Sequence, residues 1–239
     1  LVENPGMLKL GGEKKELTAF FSDIQGFSTI SESLTPEELV ELLNEYLTAM
    51  TDIILKHGGT VDKFEGDAII AFFGAPISQE DHALKCVLAS LDMHAQLIEM
   101  RKNWREQGKH EILVRIGINT GEMVVGNMGS AYRMDYTMMG DSVNLAARLE
   151  GVNKEYGTFN MISESTYLAV KEHIETRELD LIRVVGKNKP VRIFEVLGVK
   201  GEIPEETVHN YKYYLKGLDL YRKQQWDDAI KYFKHTIKL

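Results

Sequence analysis

Hydrophobic and polar positions follow a helical period over three long stretches of the chain. Between Thr35 and Gly59 apolar residues recur every three or four positions, which predicts one amphipathic helix. Thr35 is a favourable N-cap, Pro36 suits the first helical position, and Gly58 with Gly59 ends the pattern. A second helix is predicted over about Glu80–Glu106, and a third begins at Asp141 and ends at Gly157.

Shorter apolar runs, bounded by glycine or charged residues, predict β-strands between these helices. The predicted strands are residues 16–24, two runs around a tight turn at Glu65–Gly66, two around Thr120–Gly121, a short run before the helix that ends near Val170, and the pair IETRELDLIRVVG and VRIFEVLG. The resulting order is β-α-β-β-α-β, followed by further αβ pieces. This order is typical of a ferredoxin-like α+β fold, an antiparallel sheet with flanking helices on one face.

A change of composition at Lys200–Glu206 suggests three parts. Residues 1–12 are predicted to be a linker, 13–199 a globular domain, and 206–239 a helical hairpin that divides near Gln225. The segment GLDLYRKQQWDDAIKYF resembles a tetratricopeptide repeat, with Ala229 and Phe233 four positions apart in its second helix. One repeat cannot bury its own face, so we expect further repeats and a protein partner for them. An ordinary hairpin that closes the domain is the alternative.

Composition and charge narrow the classes of function. Hydrophobic residues make up 44% and charged residues 27%, which is the profile of a soluble globular protein. The net charge of −8 argues against general binding of nucleic acid. Cys86 is the single cysteine, which fits a reducing compartment. No apolar run could span a bilayer. We therefore expect a cytoplasmic fragment of a longer protein, in which any membrane or sensor segment lies outside this sequence.

Two aspartates at strand ends are the first candidates for chemistry. Asp23 closes an apolar strand just before Gly26, and Asp67 precedes another apolar strand. Two carboxylates that meet at the rim of a sheet suit Mg²⁺, which completes its coordination with water and substrate phosphate. The glycine turn, with Gly26 and Phe27, offers backbone N–H groups to a phosphate. Each aspartate taken alone is more often a turn or N-cap residue.

Four motifs in order carry a more specific resemblance. They are FSDIQGFSTISE, KFEGDAIIAFFGAP, VRIGINTGEMVVGNMGS and YTMMGDSVNLAARLE, and together they resemble the catalytic domain of class III nucleotide cyclases over about residues 13–198. The resemblance implies two Mg²⁺ or Mn²⁺ ions held by Asp23, Asp67 and the carbonyl of Ile24. It also implies a site formed between two subunits. In such a site one subunit supplies the metal ligands, and the other supplies the residues that recognise the base and stabilise the transition state. Because this chain contains both sets of residues, we expect a homodimer with two equivalent sites.

The same resemblance assigns the residues that read the base. Lys63 and Thr137 match the base-reading pair of the family. An ammonium group donates to N1 of adenine, and a threonine hydroxyl can accept from N6. Guanine presents a donor at N1, which would face the donor of Lys63, and such a mismatch costs on the order of 1–3 kcal/mol. The resemblance therefore favours ATP as the substrate, with 3′,5′-cyclic AMP and pyrophosphate as products.

The remaining site residues are expected at the phosphates and the ribose. Asn144 and Arg148 lie one helical turn apart and resemble the ribose-orienting and charge-stabilising pair of the family. Arg115 and Lys187 resemble phosphate contacts, although Lys189 could serve in place of Lys187. On spacing alone, Asn144 and Arg148 would be read as a surface polar pair.

Three other functions compete with an adenylate cyclase. A guanylate cyclase would be expected to have an acidic residue at Lys63, and a diguanylate cyclase would carry a Gly-Gly-acidic-acidic-Phe hairpin where FEGDAI stands. A non-catalytic nucleotide-binding regulatory module would usually lack at least one site residue. A threonine at position 137 also resembles the subclass often stimulated by bicarbonate.

Overall fold

The computed structural model describes residues 11–130, 132–183 and 190–237. The strands are β1 (Gly11–Ile24), β2 (Thr60–Glu65), β3 (Ala68–Phe73), β4 (Val114–Gly129), β5 (Met134–Met139), β6 (Asn160–Ser163), β7 (Ile174–Ile182) and β8 (Val191–Val199). The helices are α1 (Phe27–Ser33), α2 (Pro36–Lys56), α3 (His82–Glu106), α4 (Asp141–Tyr156), α5 (Glu164–Val170), α6 (Glu205–Arg222) and α7 (Trp226–Ile237). The predicted α+β class with flanking helices is confirmed.

The eight strands form one mixed sheet. Its order is β2-β3-β1-β4-β6-β8-β7, and β5 pairs with β4. Among the described strands, every pair is antiparallel except β4 with β6, so the sheet predicted as antiparallel contains one parallel pair and is mixed. The physical reason is that α4 returns the chain across the sheet between β5 and β6, and such a crossover brings a strand in parallel to its neighbour.

Helices cover both faces of the sheet, although they were predicted on one face only. Phe20 of β1 belongs to a core cluster with Tyr46 of α2 and Met93 of α3. Leu17 and its neighbours on the other face pack against Val143 and Ala146 of α4. The central strands are therefore buried on both sides, which explains why they read as continuous apolar runs.

Two strand boundaries differ from the predictions. β1 begins at Gly11, five residues before the predicted start and inside the predicted linker, because Gly11–Lys15 pair with β4. β4 continues through Thr120 and Gly121, where a turn was predicted. These two residues pair with Thr18 and Leu17 in an unbroken ladder, and long-range pairing has overridden the local glycine signal.

The helix ends agree with their sequence signals. The Thr35 side chain caps α2, and Glu38 bonds back to the backbone N–H of Thr35. Gly157, with φ of 64°, ends α4 in the left-handed conformation that glycine adopts without strain. Thus the Thr35 and Gly157 caps predicted from the sequence are caps in the structure, while the C-cap of α2 is His57, just before the predicted Gly58–Gly59.

The C-terminal helices form the predicted hairpin, divided at residues 223–225. Gly217 of α6 lies against the Phe233 ring of α7, where a Cβ atom would be only 2.8 Å from the ring. Tyr214 donates to the carbonyl of Leu179 on β7 at 3.0 Å, so the hairpin also contacts the sheet domain. Within the described ranges, no helix combines the length and apolar character needed to cross a membrane.

Candidate active site

Asp23 and Asp67 lie together at one end of the sheet. Asp23 is near the end of β1, and Asp67 occupies the turn between β2 and β3. The backbone N–H of Ile24 donates to Oδ2 of Asp67 at 2.9 Å, and the Asp23 carboxyl lies close enough to Asp67 to be influenced by its charge. Burial raises the pKa of Asp23, the neighbouring Asp67 raises it further, and Arg115 opposes both effects.

The chemistry of this pair fits a divalent cation. Two adjacent carboxylates repel each other when both are ionised, and a cation between them removes that repulsion. In the described part of the chain, no cluster of three or more histidine, cysteine, aspartate or glutamate side chains could hold a metal. Magnesium is one cation that needs only one or two protein carboxylates and completes its coordination with water and substrate oxygens.

The turn after the pair is built by Gly26 and Phe27. Gly26 has φ of 71°, a conformation that glycine adopts readily, and its carbonyl accepts from the backbone of Ile30 at 3.2 Å. The Phe27 side chain packs against the main core.

Arg115 stands beside the aspartate pair on the next strand. It is the cross-strand partner of Asp23, and its Nε donates to Oε1 of Glu150 on α4 at 3.1 Å. Burial raises the pKa of Glu150, the charge of Asp23 raises it further, and Arg115 opposes both. Glu150 is thus a third carboxylate near the pair, and the sequence analysis missed it.

Lys63 and Thr137, which lie on β2 and β5, are joined through a residue between them. The Thr137 hydroxyl donates to Oδ2 of Asp62 at 2.5 Å, and Nζ of Lys63 lies 3.5 Å from Oδ1 of the same carboxylate. The Asp62 side chain is only 2% exposed, whereas that of Lys63 is 41% exposed. The structure therefore brings the predicted base-reading pair together around a buried acid.

Asn144 and Arg148 lie on α4, one turn apart. Asn144 is exposed and Arg148 is half-buried, while their neighbours Val143 and Leu149 face the core. Neither Asn144 nor Arg148 has a side-chain hydrogen bond or ion pair within the described ranges. Both side chains are thus free to meet a ligand. Lys187, with its alternative Lys189, lies outside the described residues.

Asp62 and Glu150 were not predicted as site residues, because their sequence patterns give only weak signals of burial. Asp62 sits at a β-bulge, where β2 departs from strict alternation, and an acid next to a lysine on an edge strand usually reads as solvated. Glu150 follows Arg148 by two positions in a charged helix. Neither pattern distinguishes a buried partner from a surface charge.

Several known proteins are similar to this chain in both sequence and fold. The family described as "Adenylate and Guanylate cyclase catalytic domain" matches residues 12–197. Adenylate cyclase 1 of Rhizobium meliloti (strain 1021) is 38% identical over 186 residues, which are 78% of this chain and 28% of that protein. The chain spans 10% to 37% of the length of the first three curated relatives it matches.

Two solved structures superpose on most of the chain. The adenylyl cyclase CyaB from P. aeruginosa is 41% identical with a TM-score of 0.75, and the match covers 82% of this chain and 100% of that one. The guanylyl cyclase Cya2 is 39% identical with a TM-score of 0.73, and the match covers 81% of this chain and 97% of that one. The fold, the paired aspartates and these similarities agree, and the chain belongs to the adenylate and guanylate cyclase catalytic domain family.

Proposed function

We propose that this chain is an adenylate cyclase that converts ATP to 3′,5′-cyclic AMP and pyrophosphate at sites shared between two copies of the chain. The observation that carries the proposal is the grouping of Lys63 with Thr137 in the same chain as the Asp23–Asp67 pair. One group can read adenine, and the other can hold the divalent cations that bind a triphosphate.

The phosphate end of the site is assigned to β1, β4 and the turn before β3. Asp23, Asp67 and the carbonyl of Ile24 would hold two Mg²⁺ or Mn²⁺ ions, which, when bound, supply positive charge to the attacking and leaving oxygens. Arg115 would bind the outer phosphates by exchanging Glu150 for a phosphate oxygen. The backbone of Gly26 and Phe27 would approach the phosphates, and Lys187 is proposed as a further contact.

The base end is assigned to β2 and β5. The Lys63 ammonium would donate to N1 of adenine, and the Thr137 hydroxyl would accept from the N6 amino group. Guanine would present an N–H to Lys63 and a carbonyl oxygen to Thr137. The base contacts therefore favour ATP over GTP.

Asn144 and Arg148 would act on the reacting centre. In the reaction, the ribose 3′ hydroxyl attacks the α-phosphorus, and the bond from that phosphorus to the pyrophosphate oxygen breaks. Asn144 would orient the ribose, and the Arg148 guanidinium would stabilise negative charge on the α-phosphate, an effect on the order of 100-fold in rate.

Exposed apolar side chains near the base end support the homodimer. Phe64 is the neighbour of Lys63 and is 46% exposed, while Val124 and Met139 form a cross-strand pair and are 41% and 57% exposed. In a homodimer these side chains would be covered. Asn144 and Arg148, whose side chains have no partner among the described residues, would then complete the site whose metal ligands come from the other copy.

The C-terminal hairpin and the setting of the enzyme complete the proposal. The close packing of Gly217 against Phe233 supports a tetratricopeptide-type hairpin that binds a protein partner. Thr137 supports the bicarbonate-responsive subclass, and the single cysteine supports a cytoplasmic setting.

The proposal is tested by product formation with ATP and GTP, each in Mg²⁺ and in Mn²⁺. An Asp67→Ala variant serves as the control, because it removes a metal ligand at the turn. Cyclic AMP that disappears in the variant would support both the enzyme and the base assignment. Cyclic GMP as the main product would favour the guanylate cyclase alternative. The similarity of the chain to the guanylyl cyclase Cya2 is the reason for testing that alternative. No product at a protein concentration that drives dimerisation would favour a binding module.

A further inference from the structure

Asp62 holds an unusual position for an acid on the edge strand of a sheet. It is the extra residue at a bulge in β2, and its side chain is 98% shielded from solvent. Its Oδ2 accepts from the Thr137 hydroxyl at 2.5 Å, although β2 and β5 share no backbone ladder. A buried carboxylate is retained only where its partners compensate for lost hydration. Its partners here are the two residues assigned to the base.

We propose that Asp62 is a positioning residue that selects adenine over guanine by fixing the Thr137 hydroxyl as a hydrogen-bond acceptor. This inference rests on the proposed function, because it concerns how the same site chooses its nucleotide. Asp62 itself is not assigned a contact with the substrate.

The hydroxyl of Thr137 cannot by itself distinguish adenine from guanine. A threonine hydroxyl has one hydrogen to donate and two lone pairs that accept. It could accept from the N6 amino group of adenine, or rotate and donate to the O6 carbonyl of guanine. A carboxylate only accepts, so the bond to Asp62 uses the single hydrogen of Thr137. Only lone pairs then remain for the base, and these match adenine.

The second oxygen of Asp62 supports the same selection. Oδ1 lies 3.5 Å from Nζ of Lys63 and accepts no hydrogen bond within the described ranges. Its attraction holds the ammonium beside Thr137, where it can donate to N1 of adenine. One buried carboxylate thus sets the donor and the acceptor of the pair at once.

The test is an Asp62→Asn variant, which keeps the shape of the side chain. Its amide nitrogen can donate to Thr137, which frees the hydroxyl hydrogen for guanine O6. We expect the ratio of kcat/KM for ATP to kcat/KM for GTP to fall about 10-fold, the effect of one hydrogen-bond discrimination. The ratio does not depend on the concentration of active enzyme, so partial unfolding cannot imitate the effect. Glu65→Gln, an exposed acid on the same strand, is the matched control and should leave the ratio unchanged.

A double-mutant cycle tests whether Asp62 acts through Thr137. In a Thr137→Val background, the Asp62→Asn change should alter the ratio less than it does in the wild-type background, because the hydroxyl it orients is absent and only its attraction to Lys63 remains. An undiminished effect of Asp62→Asn in that background would overturn the inference, because Asp62 would then act on base selection through Lys63 alone. An unchanged ratio in Asp62→Asn itself would overturn it as well, while the adenylate cyclase assignment would stand.

A second variant keeps Asp62 intact, in case Asp62→Asn does not fold. In Thr137→Asn, Asp62 should hold the amide NH₂ and leave the amide oxygen facing the base, so the preference for ATP should persist. Equal use of both nucleotides would overturn the inference. The affinities for 3′-deoxy-ATP and 3′-deoxy-GTP, which lack the attacking hydroxyl, measure the preference for the base without turnover. Failure of the wild-type chain both to turn over and to bind adenine nucleotides would instead overturn the proposed function, and the inference with it.

Discussion

Replacement of Gly117 by alanine should displace the helix that carries Asn144 and Arg148. A Cβ atom at Gly117 would lie 2.2 Å from the backbone nitrogen of Glu150 and 2.3 Å from the carbonyl oxygen of Ala146. Both atoms belong to the backbone of α4, so no side chain can rotate to make room. An ordinary contact begins near 3.4 Å, so α4 must move away from β4 by about 1 Å.

The size of the effect follows from that displacement. Overpacking of this kind costs about 1–3 kcal/mol in unfolding free energy, which lowers the Tm of a chain of this size by roughly 3–10 °C. A 1 Å misplacement of groups at a reacting centre can reduce the rate about 100-fold. We therefore expect kcat for cyclic AMP formation to fall by about two orders of magnitude, with a smaller change in the affinity for metal ions.

The assay is steady-state cyclic AMP formation together with thermal unfolding of the same preparations. Gly151→Ala is the matched control, because Gly151 lies on the same helix with nothing within 4 Å of the added methyl group. It should keep wild-type kcat and gain up to about 1 kcal/mol in stability, since alanine favours a helix. A Gly117→Ala protein with wild-type kcat and Tm would refute the argument that contact with β4 sets the position of α4.

Three further predictions address the dimer, the aspartate pair and the hairpin. An equal mixture of Asp67→Ala and Arg148→Ala chains should recover about a quarter of wild-type activity. Half of the dimers are mixed, and each mixed dimer has one intact site out of two. No recovery of activity would contradict sites that are shared between two chains. In metal-free protein, Asp23→Asn should raise the unfolding midpoint at pH 7, because the raised pKa of Asp23 means that its charge destabilises the fold. This gain should shrink as the pH falls through the folded pKa towards 3.8, and a gain that persists there would refute the electrostatic cause. Gly217→Ala should speed proteolysis within the hairpin at unchanged kcat, because the new methyl group meets the Phe233 ring; wild-type resistance would contradict close helix contact.

Local signals allowed most helix boundaries to be predicted from the sequence. The capping box of Thr35 and the left-handed Gly157 act within one turn of the chain, so their effects can be read from a few neighbouring residues. The hairpin division near Gln225 was found for the same reason. The strand-end positions of Asp23 and Asp67 also followed from local apolar runs, and the structure brings the two side chains together.

Long-range pairing explains what could not be predicted. Gly121 has the local character of a turn residue, yet it lies within a continuous ladder opposite Leu17. The position of α4 on the second face depends on the close approach of its backbone to Gly117 of β4. The sequence contains 20 glycines, and nothing around Gly117 distinguishes it as the one that contacts a helix. The burial of Asp62 requires β5 to reach β2, and no window of the sequence contains both strands.

The buried Asp62 carboxylate also constrains how this site could evolve towards another nucleotide. An acidic residue in place of Lys63 would suit the N1 donor of guanine, but it would lie beside a second carboxylate that is 2% exposed and has lost its positive neighbour. That single step is unfavourable while Asp62 is present. A lineage that changes its second messenger would have to neutralise Asp62 first, so the order of mutations, as well as their identity, is restricted by the fold.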